Sequence, residues 1–440
     1  MAPLSLRYGN QAHSDEPNDL RTQLLKLVAR IQGKHVKIVD SDPKLVSEIL
    51  MNSDTKGSFV ETLIATPAWF PILSTESVDG ELWKDLSGKF HELSQKLDWK
   101  TRLPSLQKKY FLQLKLQLEN QPHLEVTSQE VSRLTLRVFY ELVFSHEISK
   151  EDEELFFRAS LEWRKEIAIK GKANPQIKLL FWNRLKEITS QSPLLTPNPS
   201  PESLSLWTSA IAQPLIISPQ INVSDIMVAC FQFLRKEKKE GVQYLEVTKN
   251  WATSKDLPRL TGVILETIRL QHPFPVLERE ISKGTTLQGR IIQEKTQFFI
   301  LLDQFKQDQA WNPERWLRSS KENPYFHIPF GTGRRVCAGK PIALELLTSM
   351  LSTFLVDLDT TRIKPEKDHL YSGRINDRST SLWETLYQIK VFSKVLLRSL
   401  LLRCRFINKI DTKEALNSAP FNRCPFSYQS HASSAKTEAK

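Results

Sequence analysis

The sequence is poor in glycine and cysteine and lacks any long apolar run. Glycine supplies 14 of 440 residues, against roughly 7% in average proteins. The four cysteines, Cys230, Cys337, Cys404 and Cys424, are too widely spaced for a disulfide framework. No stretch of 18 or more apolar residues predicts a transmembrane helix, and the polar, acidic N-terminal residues do not resemble a secretory signal. These absences favour an intracellular protein in a reducing compartment.

The motifs of several functional classes are also missing. The formal net charge is +11, from 61 basic and 50 acidic residues, and such an excess suits nucleic acid, an anionic membrane or an acidic protein partner. We find no zinc-ligand spacing, no Walker glycine loop and no RNA-binding aromatic motif, so nucleic acid is not an expected partner. The excess charge is then either a solvated basic surface or a docking surface for an acidic redox partner.

Three of the few glycines surround one cysteine. The stretch from Phe330 to Gly339 contains Cys337, and Pro341 with an apolar-periodic run to Leu355 predicts a helix directly after it. The N-terminus of a helix favours a thiolate, and a thiolate can serve as the proximal ligand of haem iron. For an isolated cysteine, the alternative is a small buried side chain beside a helix cap.

The order Phe-x-x-Gly-x-Arg-x-Cys-x-Gly resembles the haem-binding loop of the cytochrome P450 family. Phe330, Gly333, Arg335, Cys337 and Gly339 match its five fixed positions. The resemblance implies haem b as the cofactor, with Cys337 as the axial thiolate ligand of the iron. It also implies that Phe330, Gly333, Arg335 and Gly339 are cofactor-binding residues.

Two further motifs precede this loop in the order that the family has. Glu266-Thr267-Ile268-Arg269 matches the family's Glu-x-x-Arg, and Pro313-Glu314-Arg315-Trp316 matches its Pro-Glu-Arg-aromatic element. Glu266 and Arg269 are three residues apart, on one helix face. The resemblance implies that Glu266, Arg269 and Arg315 form a buried charge network that supports the haem loop.

Contacts to the haem propionates are less complete. Trp83 matches the tryptophan of the family's Trp-x-x-x-Arg helix, but Ser87 stands at the arginine position. Lys84 or Lys89 could substitute, although lysine lacks the bidentate fork of arginine. Arg279 is a further candidate for a propionate contact, because family members often carry a basic residue there.

We expect a mainly α fold with small β-sheets and a single P450-like haem domain over 35–400. An irregular N-terminus over 1–34 and a basic tail over 401–440, expected to be disordered, flank it. Six prolines predict a connecting loop over 191–219, and Asn222–Asp225 predicts a helix start with Ser224 as N-cap. The helix that follows lacks the family's Ala-Gly-x-Asp/Glu-Thr segment, so the central helix is expected to be shortened and no distal catalytic residue is assignable.

The resemblance implies a monooxygenase that inserts one oxygen atom of O2 into a small apolar substrate. Electrons would come from an NADPH-dependent reductase or a ferredoxin-type donor. The missing segment leaves two alternatives open: a haem-binding protein impaired in oxygen activation, such as a truncated or splice form, and a peroxide-using or isomerising haem-thiolate enzyme. The basic, apolar stretch over 390–407 predicts either a surface strand or helix or, as the alternative, a segment in peripheral contact with an anionic membrane. The expected location is the cytoplasm or the surface of an endoplasmic reticulum-type membrane.

Overall fold

The computed structural model describes residues 33–53, 66–75, 78–167, 171–195, 199–272, 276–302 and 310–364. Isolated positions at 27, 30–31, 55 and between 390 and 400 are also described. Within these ranges the chain is mostly helical with short strands, as predicted. The expected tail over 401–440 and most of the expected irregular segment over 1–34 lie outside the described residues.

Capping side chains and prolines determine where many of the helices begin. The side chains of Asp42, Asn174 and Asp256 each accept hydrogen bonds from backbone N–H groups of the first turn, with a proline at the helix start. The helices of the described residues are α1 Pro43–Asn52, α2 Thr66–Trp69, α3 Gly80–Lys96, α4 Trp99–Asn120, α5 Ser128–Phe144, α6 Lys150–Ile167, α7 Pro175–Ser190, α8 Pro201–Lys236, α9 Tyr244–Thr253, α10 Leu257–Leu270 and α11 Lys340–Asp357.

Short strands form a three-stranded sheet and two hairpins. In the sheet, β1 (His35–Val39) runs parallel to β7 (Thr296–Leu301), and β7 runs antiparallel to β4 (Val276–Ile281). The hairpins join β2 (Lys238–Lys239) to β3 (Val242–Gln243) and β5 (Thr285–Leu287) to β6 (Arg290–Ile292). Gly289 has a φ of +72° in the second hairpin, a backbone conformation that favours glycine.

The long helix α8 corrects two expectations from the sequence. Residues 201–219 are helical rather than a connecting loop, and the predicted start at Asn222 lies inside the helix. The Ser224 hydroxyl does not cap a helix but donates to the carbonyl oxygen of Gln220 at 2.6 Å. Pro214 lies in a wider π turn, Ala212–Ile217, which accommodates a residue without an N–H donor.

By length and composition, α8 could cross a bilayer. Its 36 residues span about 54 Å. However, 67% of its most apolar window is buried inside the protein, as expected for the core helix of a folded domain.

The loop that carries Cys337 lies where two hydrophobic cores meet. The larger core joins α4, α8 and α11, whose Phe111, Phe231 and Phe354 rings have centroids 5.7 and 6.4 Å apart around Phe354. The smaller core packs α1 against the three-stranded sheet. Phe330 packs against the larger core, while Gly333 lies against Leu50 of α1.

Candidate haem-thiolate site

Cys337 lies between a short 3-10 turn, Gly333–Arg335, and the N-terminus of α11. Its backbone N–H donates to the carbonyl oxygen of Phe330 at 2.9 Å, and its own carbonyl oxygen accepts from the backbone N–H of Lys340 at 3.2 Å. The Cys337 side chain is exposed. The loop therefore presents a thiol next to the amide groups of a helix N-terminus, which favour negative charge.

Two glycines of the loop differ in what surrounds them. Gly333 has a φ of +72°, and a Cβ there would lie 2.3 Å from the carbonyl oxygen of Leu50. Protein packing alone therefore requires glycine at this position. Gly339 has a φ of −80°, and nothing lies within 4 Å of an added Cβ. Packing within the described residues does not require glycine at 339, so a flat ligand could approach the backbone there.

Glu266 is the centre of the network that supports the loop. Its side chain is fully buried and accepts from Arg269 Nε at 3.0 Å and Nη2 at 2.7 Å. Arg315 Nε donates to Glu266 Oε1 at 3.2 Å, and Trp316 Nε1 donates to Oε2 at 2.9 Å. The backbone N–H of Asn312 adds a further bond of 3.0 Å to Oε1. The structure thus brings together the three residues named from the sequence.

Two contacts of this network were not predicted. Trp316 belongs to the recognised Pro-Glu-Arg-Trp element, but its bond to Glu266 is additional. Tyr325 lies under both guanidinium groups, 4.9 Å from Arg269 and 5.5 Å from Arg315 at the ring centroid. This aromatic ring adds a cation–π contribution to the buried charges.

The Arg335 side chain contacts the segment that precedes α3. Its Nη1 donates to the carbonyl oxygens of Thr75 at 3.3 Å and Val78 at 3.2 Å, and its guanidinium forms an ion pair with Asp79. The same group lies 4.1 Å from the centroid of the Trp83 ring. Two residues named as cofactor contacts thus meet each other, and Asp79 neutralises the charge of Arg335.

The other basic candidates of the propionate region lie elsewhere. Lys84 forms an exposed ion pair with Glu81, and Lys89 Nζ lies 4.6 Å from the ring centroid of Trp207 in α8. Neither lysine joins the cluster of Trp83 and Arg335, so neither takes the place of the arginine that Ser87 replaces. Arg279 is buried in β4, where its Nη1 donates to the carbonyl oxygen of Glu278 at 2.7 Å. A propionate contact by Arg279 stays a prediction.

A polar cluster on α8 was not predicted. Gln213, in the π turn, accepts from the Thr75 hydroxyl at 3.1 Å and donates to the Ser218 hydroxyl at 3.1 Å. One turn earlier, the Ser209 hydroxyl accepts from the backbone N–H of Leu73 at 3.1 Å. Arg335 donates to the carbonyl oxygen of the same Thr75. Two hydrogen bonds in series, which meet at Thr75, therefore connect the cysteine loop to α8. Polar residues within an apolar helix were the only signal of this cluster in the sequence.

Comparison with known proteins identifies the architecture. The family model described as Cytochrome P450 matches residues 232–377, a range that contains the Glu266 network and the Cys337 loop. The structure of a six-coordinated cytochrome P450 from Thermus thermophilus has a TM-score of 0.54 at 15% identity, covering 76% of this chain and 89% of the other. A zebrafish cytochrome P450 has a TM-score of 0.57 at 18% identity, over 72% of this chain and 84% of the other. The fold is that of a cytochrome P450. The resemblance to this family is confirmed.

The sequence matches to curated P450 relatives are partial. Ferruginol synthase of Salvia pomifera is 32% identical over 128 residues, which cover 27% of this chain and 28% of that protein. (S)-N-methylcoclaurine 3'-hydroxylase isozyme 1 of Eschscholzia californica is 34% identical over 115 residues, covering 24% of each chain. The chain thus spans about a quarter of the length of the curated relatives that it matches.

The residues present fit a thiolate-ligated haem better on one side than on the other. An exposed Cys337 thiol and the open space beside Gly339 suit an iron porphyrin at the P450 loop. Haem propionates need positive charges. However, the Arg335 charge is already paired with Asp79, and Ser87 cannot supply a positive charge. The donor set therefore fits the axial ligand, whereas a propionate would have to share Arg335 with Asp79 or displace it.

Proposed function

We propose that this chain binds haem b through Cys337 as the axial thiolate ligand. The observation that carries the proposal is the exposed Cys337 side chain at the start of α11, on a loop held by the buried Glu266 network. The amide groups of α11 stabilise negative charge on the sulfur. Gly339 lets a flat ligand approach, and Phe330 anchors the loop to the helical core.

We infer that the loaded protein is a monooxygenase acting on a small apolar substrate. A thiolate-bound haem supplies the chemistry of O–O bond cleavage. The named relatives, a ferruginol synthase and an N-methylcoclaurine 3'-hydroxylase, support oxidation of an organic molecule as the reaction class. The proposed electron donor is an NADPH-dependent reductase or a ferredoxin-type protein, which the basic net charge of +11 would attract if its surface is acidic.

A second candidate function is haem binding with impaired oxygen activation. Three observations favour it: Ser87 replaces the propionate arginine, Asp79 occupies Arg335, and α8 lacks the acid–alcohol segment. Asp225, the acidic residue in the C-terminal half of α8, forms an ion pair with Arg164 at 2.7 Å. The Gln213 cluster of α8, which Thr75 links to the cysteine loop, contains no carboxylate. A peroxide-using or isomerising reaction is the enzymatic variant of this proposal, because it needs no such proton relay.

The decisive measurement is the absorption spectrum of the purified, haem-loaded protein, reduced and exposed to carbon monoxide. We expect the red-shifted Soret band of a thiolate ligand, and we expect Cys337→Ala to abolish that band. Cys230→Ala is the matched control, because Cys230 is buried and donates to the Thr267 hydroxyl at 3.2 Å. A protein that takes up no haem, or whose band survives in Cys337→Ala, would contradict the proposed ligand.

Turnover separates the two candidate functions. The loaded protein is supplied with a reductase and NADPH, or with peroxide alone, and consumption of an apolar substrate is followed. Product with the reductase supports the monooxygenase, and product with peroxide alone supports the peroxide-using variant. A correct thiolate spectrum without either product supports a haem protein impaired in oxygen activation. Sedimentation with anionic vesicles tests the proposed peripheral contact with an endoplasmic reticulum-type membrane.

A further inference from the structure

The positive charge nearest in sequence to Cys337 is that of Arg335, and protein groups already surround it. The side chain is 3% exposed, and its guanidinium pairs with Asp79. Its Nη1 donates to the carbonyl oxygens of Thr75 and Val78, and the Trp83 ring centroid lies 4.1 Å from the guanidinium. A carboxylate brought by a ligand can therefore reach this charge only by replacing one of these partners.

Asp79 is the partner that a carboxylate can replace. It carries the same charge as the incoming group, and its side chain is 25% exposed. Two carboxylates at one guanidinium repel each other, because each disfavours the ionised form of the other. Exchange of the Asp79 carboxylate for a ligand carboxylate replaces one ion pair by another of the same kind. The ligand then gains little net electrostatic energy from Arg335.

Asp79 also has a second set of donors available on its own helix. It is the N-cap residue of α3, with φ −130° and ψ 178°, but its side chain makes no capping hydrogen bond. Thr127, with the similar values φ −104° and ψ −177°, does cap α5 with its side chain. Aspartate at an N-cap ordinarily accepts from the N–H groups of the first turn. The backbone of Asp79 thus suits a cap, while its carboxylate is bound to Arg335 instead.

The lysines in the first half of α3 do not add a second cation to this cluster. Lys84 forms its ion pair with Glu81, and Lys89 lies over the ring of Trp207. On this helix, recognition of an anionic ligand therefore depends on Arg335 and on whether Asp79 gives it up.

We propose that Asp79 is an internal competitor for Arg335, which lowers the affinity of the site for the two carboxylates of haem. With Asp79 in place, the site binds a porphyrin with neutral ester groups nearly as well as haem itself. When a ligand carboxylate takes Arg335, the Asp79 carboxylate turns to the first-turn N–H groups of α3. This inference rests on the haem binding proposed above, and Asp79 acts in it only through Arg335.

Two porphyrins test the competition directly. Haem b and its dimethyl ester have the same iron and ring, but only haem b carries negative charges at its edge. Each is titrated into the purified full-length chain, and uptake is followed by the Soret band. The wild type should bind the two with affinities within about threefold of each other.

Removal of the Asp79 charge should change the affinity for haem b alone. Asp79→Asn should bind haem b about tenfold more tightly than the wild type, equivalent to ~1.4 kcal/mol, with unchanged affinity for the ester. Asparagine caps helices as well as aspartate does, so α3 keeps its N-cap residue. Asp85→Asn removes the same charge at an exposed position of α3 and should leave both affinities unchanged.

Three results would overturn the competition. The first is a wild type that prefers haem b over the ester by about tenfold or more, since Arg335 would then be open to a ligand carboxylate. The second is an unchanged affinity of Asp79→Asn for haem b. The third is an equal gain in Asp85→Asn, which would reflect net charge alone. If Asp79→Asn does not fold, the comparison of the two porphyrins in the wild type still decides.

The reduced, carbon monoxide-bound spectrum separates this inference from the proposed axial ligand. Equal haem affinity of wild type and Asp79→Asn, with a thiolate band that Cys337→Ala abolishes, would refute the competitor and leave the ligand standing. Tighter haem binding by Asp79→Asn without that band would support the competitor and contradict Cys337 as ligand. Uptake of neither porphyrin by either protein would overturn both.

Discussion

The Arg335 guanidinium lies 4.1 Å from the centroid of the Trp83 ring, with Asp79 as its ion-pair partner. Arg335 is two residues from Cys337, and Trp83 lies on α3. The stack therefore ties the cysteine loop to α3, while the bonds to Thr75, Val78 and Asp79 tie it to the segment that leads into α3. Charge neutralisation by Asp79 means that the loop is held in place by the protein's own groups.

Replacing Arg335 by lysine should loosen this attachment. Lysine keeps the charge but cannot reach the Thr75 and Val78 carbonyl oxygens with a planar fork while stacking on Trp83. Bonds of a charged donor that are lost from a buried site cost about 2 kcal/mol. We expect Arg335→Lys to lower the free energy of unfolding by about that amount, measured by urea denaturation. Arg334→Lys, at the exposed neighbouring position, should leave stability nearly unchanged, and an equal loss in both variants would contradict the attachment.

Removing the charge of Glu266 should be more damaging. Glu266 is fully buried and paired with Arg269 and Arg315. Glu266→Gln leaves two largely buried guanidinium groups without a counter-charge, at a cost of about 3–5 kcal/mol. Urea denaturation should show this loss, or the variant should fail to fold.

A matched control lies in the turn Pro313–Leu317, which also carries Arg315. Glu314 pairs with Lys239 at 2.7 Å and with Arg259 at 3.3 Å, but these side chains are partly exposed. Solvent screens such pairs, so Glu314→Gln should cost far less than Glu266→Gln. Similar losses in the two variants would mean that burial does not set the importance of the Glu266 network.

The Glu266 network could be predicted because its members lie in two short motifs that resemble those of the P450 family, and the resemblance implied that they meet. The spacing of Glu266 and Arg269 placed these two residues on one helix face, but it did not bring in Arg315, which lies 49 positions from Glu266. The sequence could not reveal that Tyr325 lies under both guanidinium groups, since this contact depends on how the chain folds back after 318.

The bounds of α8 could not be predicted from the sequence because this helix contains several prolines. Proline density normally breaks regular structure, but the π turn at Ala212–Ile217 absorbs Pro214, and Pro201 lies in the first turn. The bond between Thr75 and Gln213 spans 138 positions of the chain, so no local pattern encodes it. The polar cluster at this turn therefore became visible only in the structure.

Alanine at two glycines should separate packing from ligand binding. At Gly333 an added Cβ collides with the Leu50 carbonyl oxygen, and the φ of +72° is unfavourable for alanine. We expect Gly333→Ala to lose about 1–3 kcal/mol of stability, measured by urea denaturation. At Gly339 the added Cβ meets no atom within 4 Å, so Gly339→Ala should keep its stability.

Haem titration supplies the second readout for Gly339→Ala. If haem approaches the backbone at Gly339, the added methyl group should weaken haem uptake, followed by the growth of the Soret band, without lowering the unfolding free energy. Unchanged uptake in Gly339→Ala would place the cofactor away from this residue. Lower stability would show that packing requires this glycine after all.

Tyr140 should make the protein less stable at alkaline pH. Burial and, to a smaller extent, the charge of Asp152 together raise the pKa of Tyr140 to about 12, against the opposing charge of Arg184. In the unfolded chain tyrosine deprotonates near pH 10, approximately. Between these values the folded protein retains a proton that the unfolded chain has lost. The free energy of unfolding therefore falls as the pH rises from about 10 to about 12.

Tyr140→Phe isolates this contribution, because phenylalanine keeps the ring contacts with Phe144 and Phe156 but cannot ionise. The free energy of unfolding of both proteins is measured by denaturant titration from pH 8 to pH 12. Other alkaline groups, such as Tyr110, whose pKa burial also raises, are common to both proteins and cancel in the difference. The wild type should lose stability more steeply than Tyr140→Phe above pH 10, while the two curves run parallel below pH 9. Parallel curves over the whole range would mean that the Tyr140 hydroxyl ionises as readily in the folded protein as in the unfolded chain.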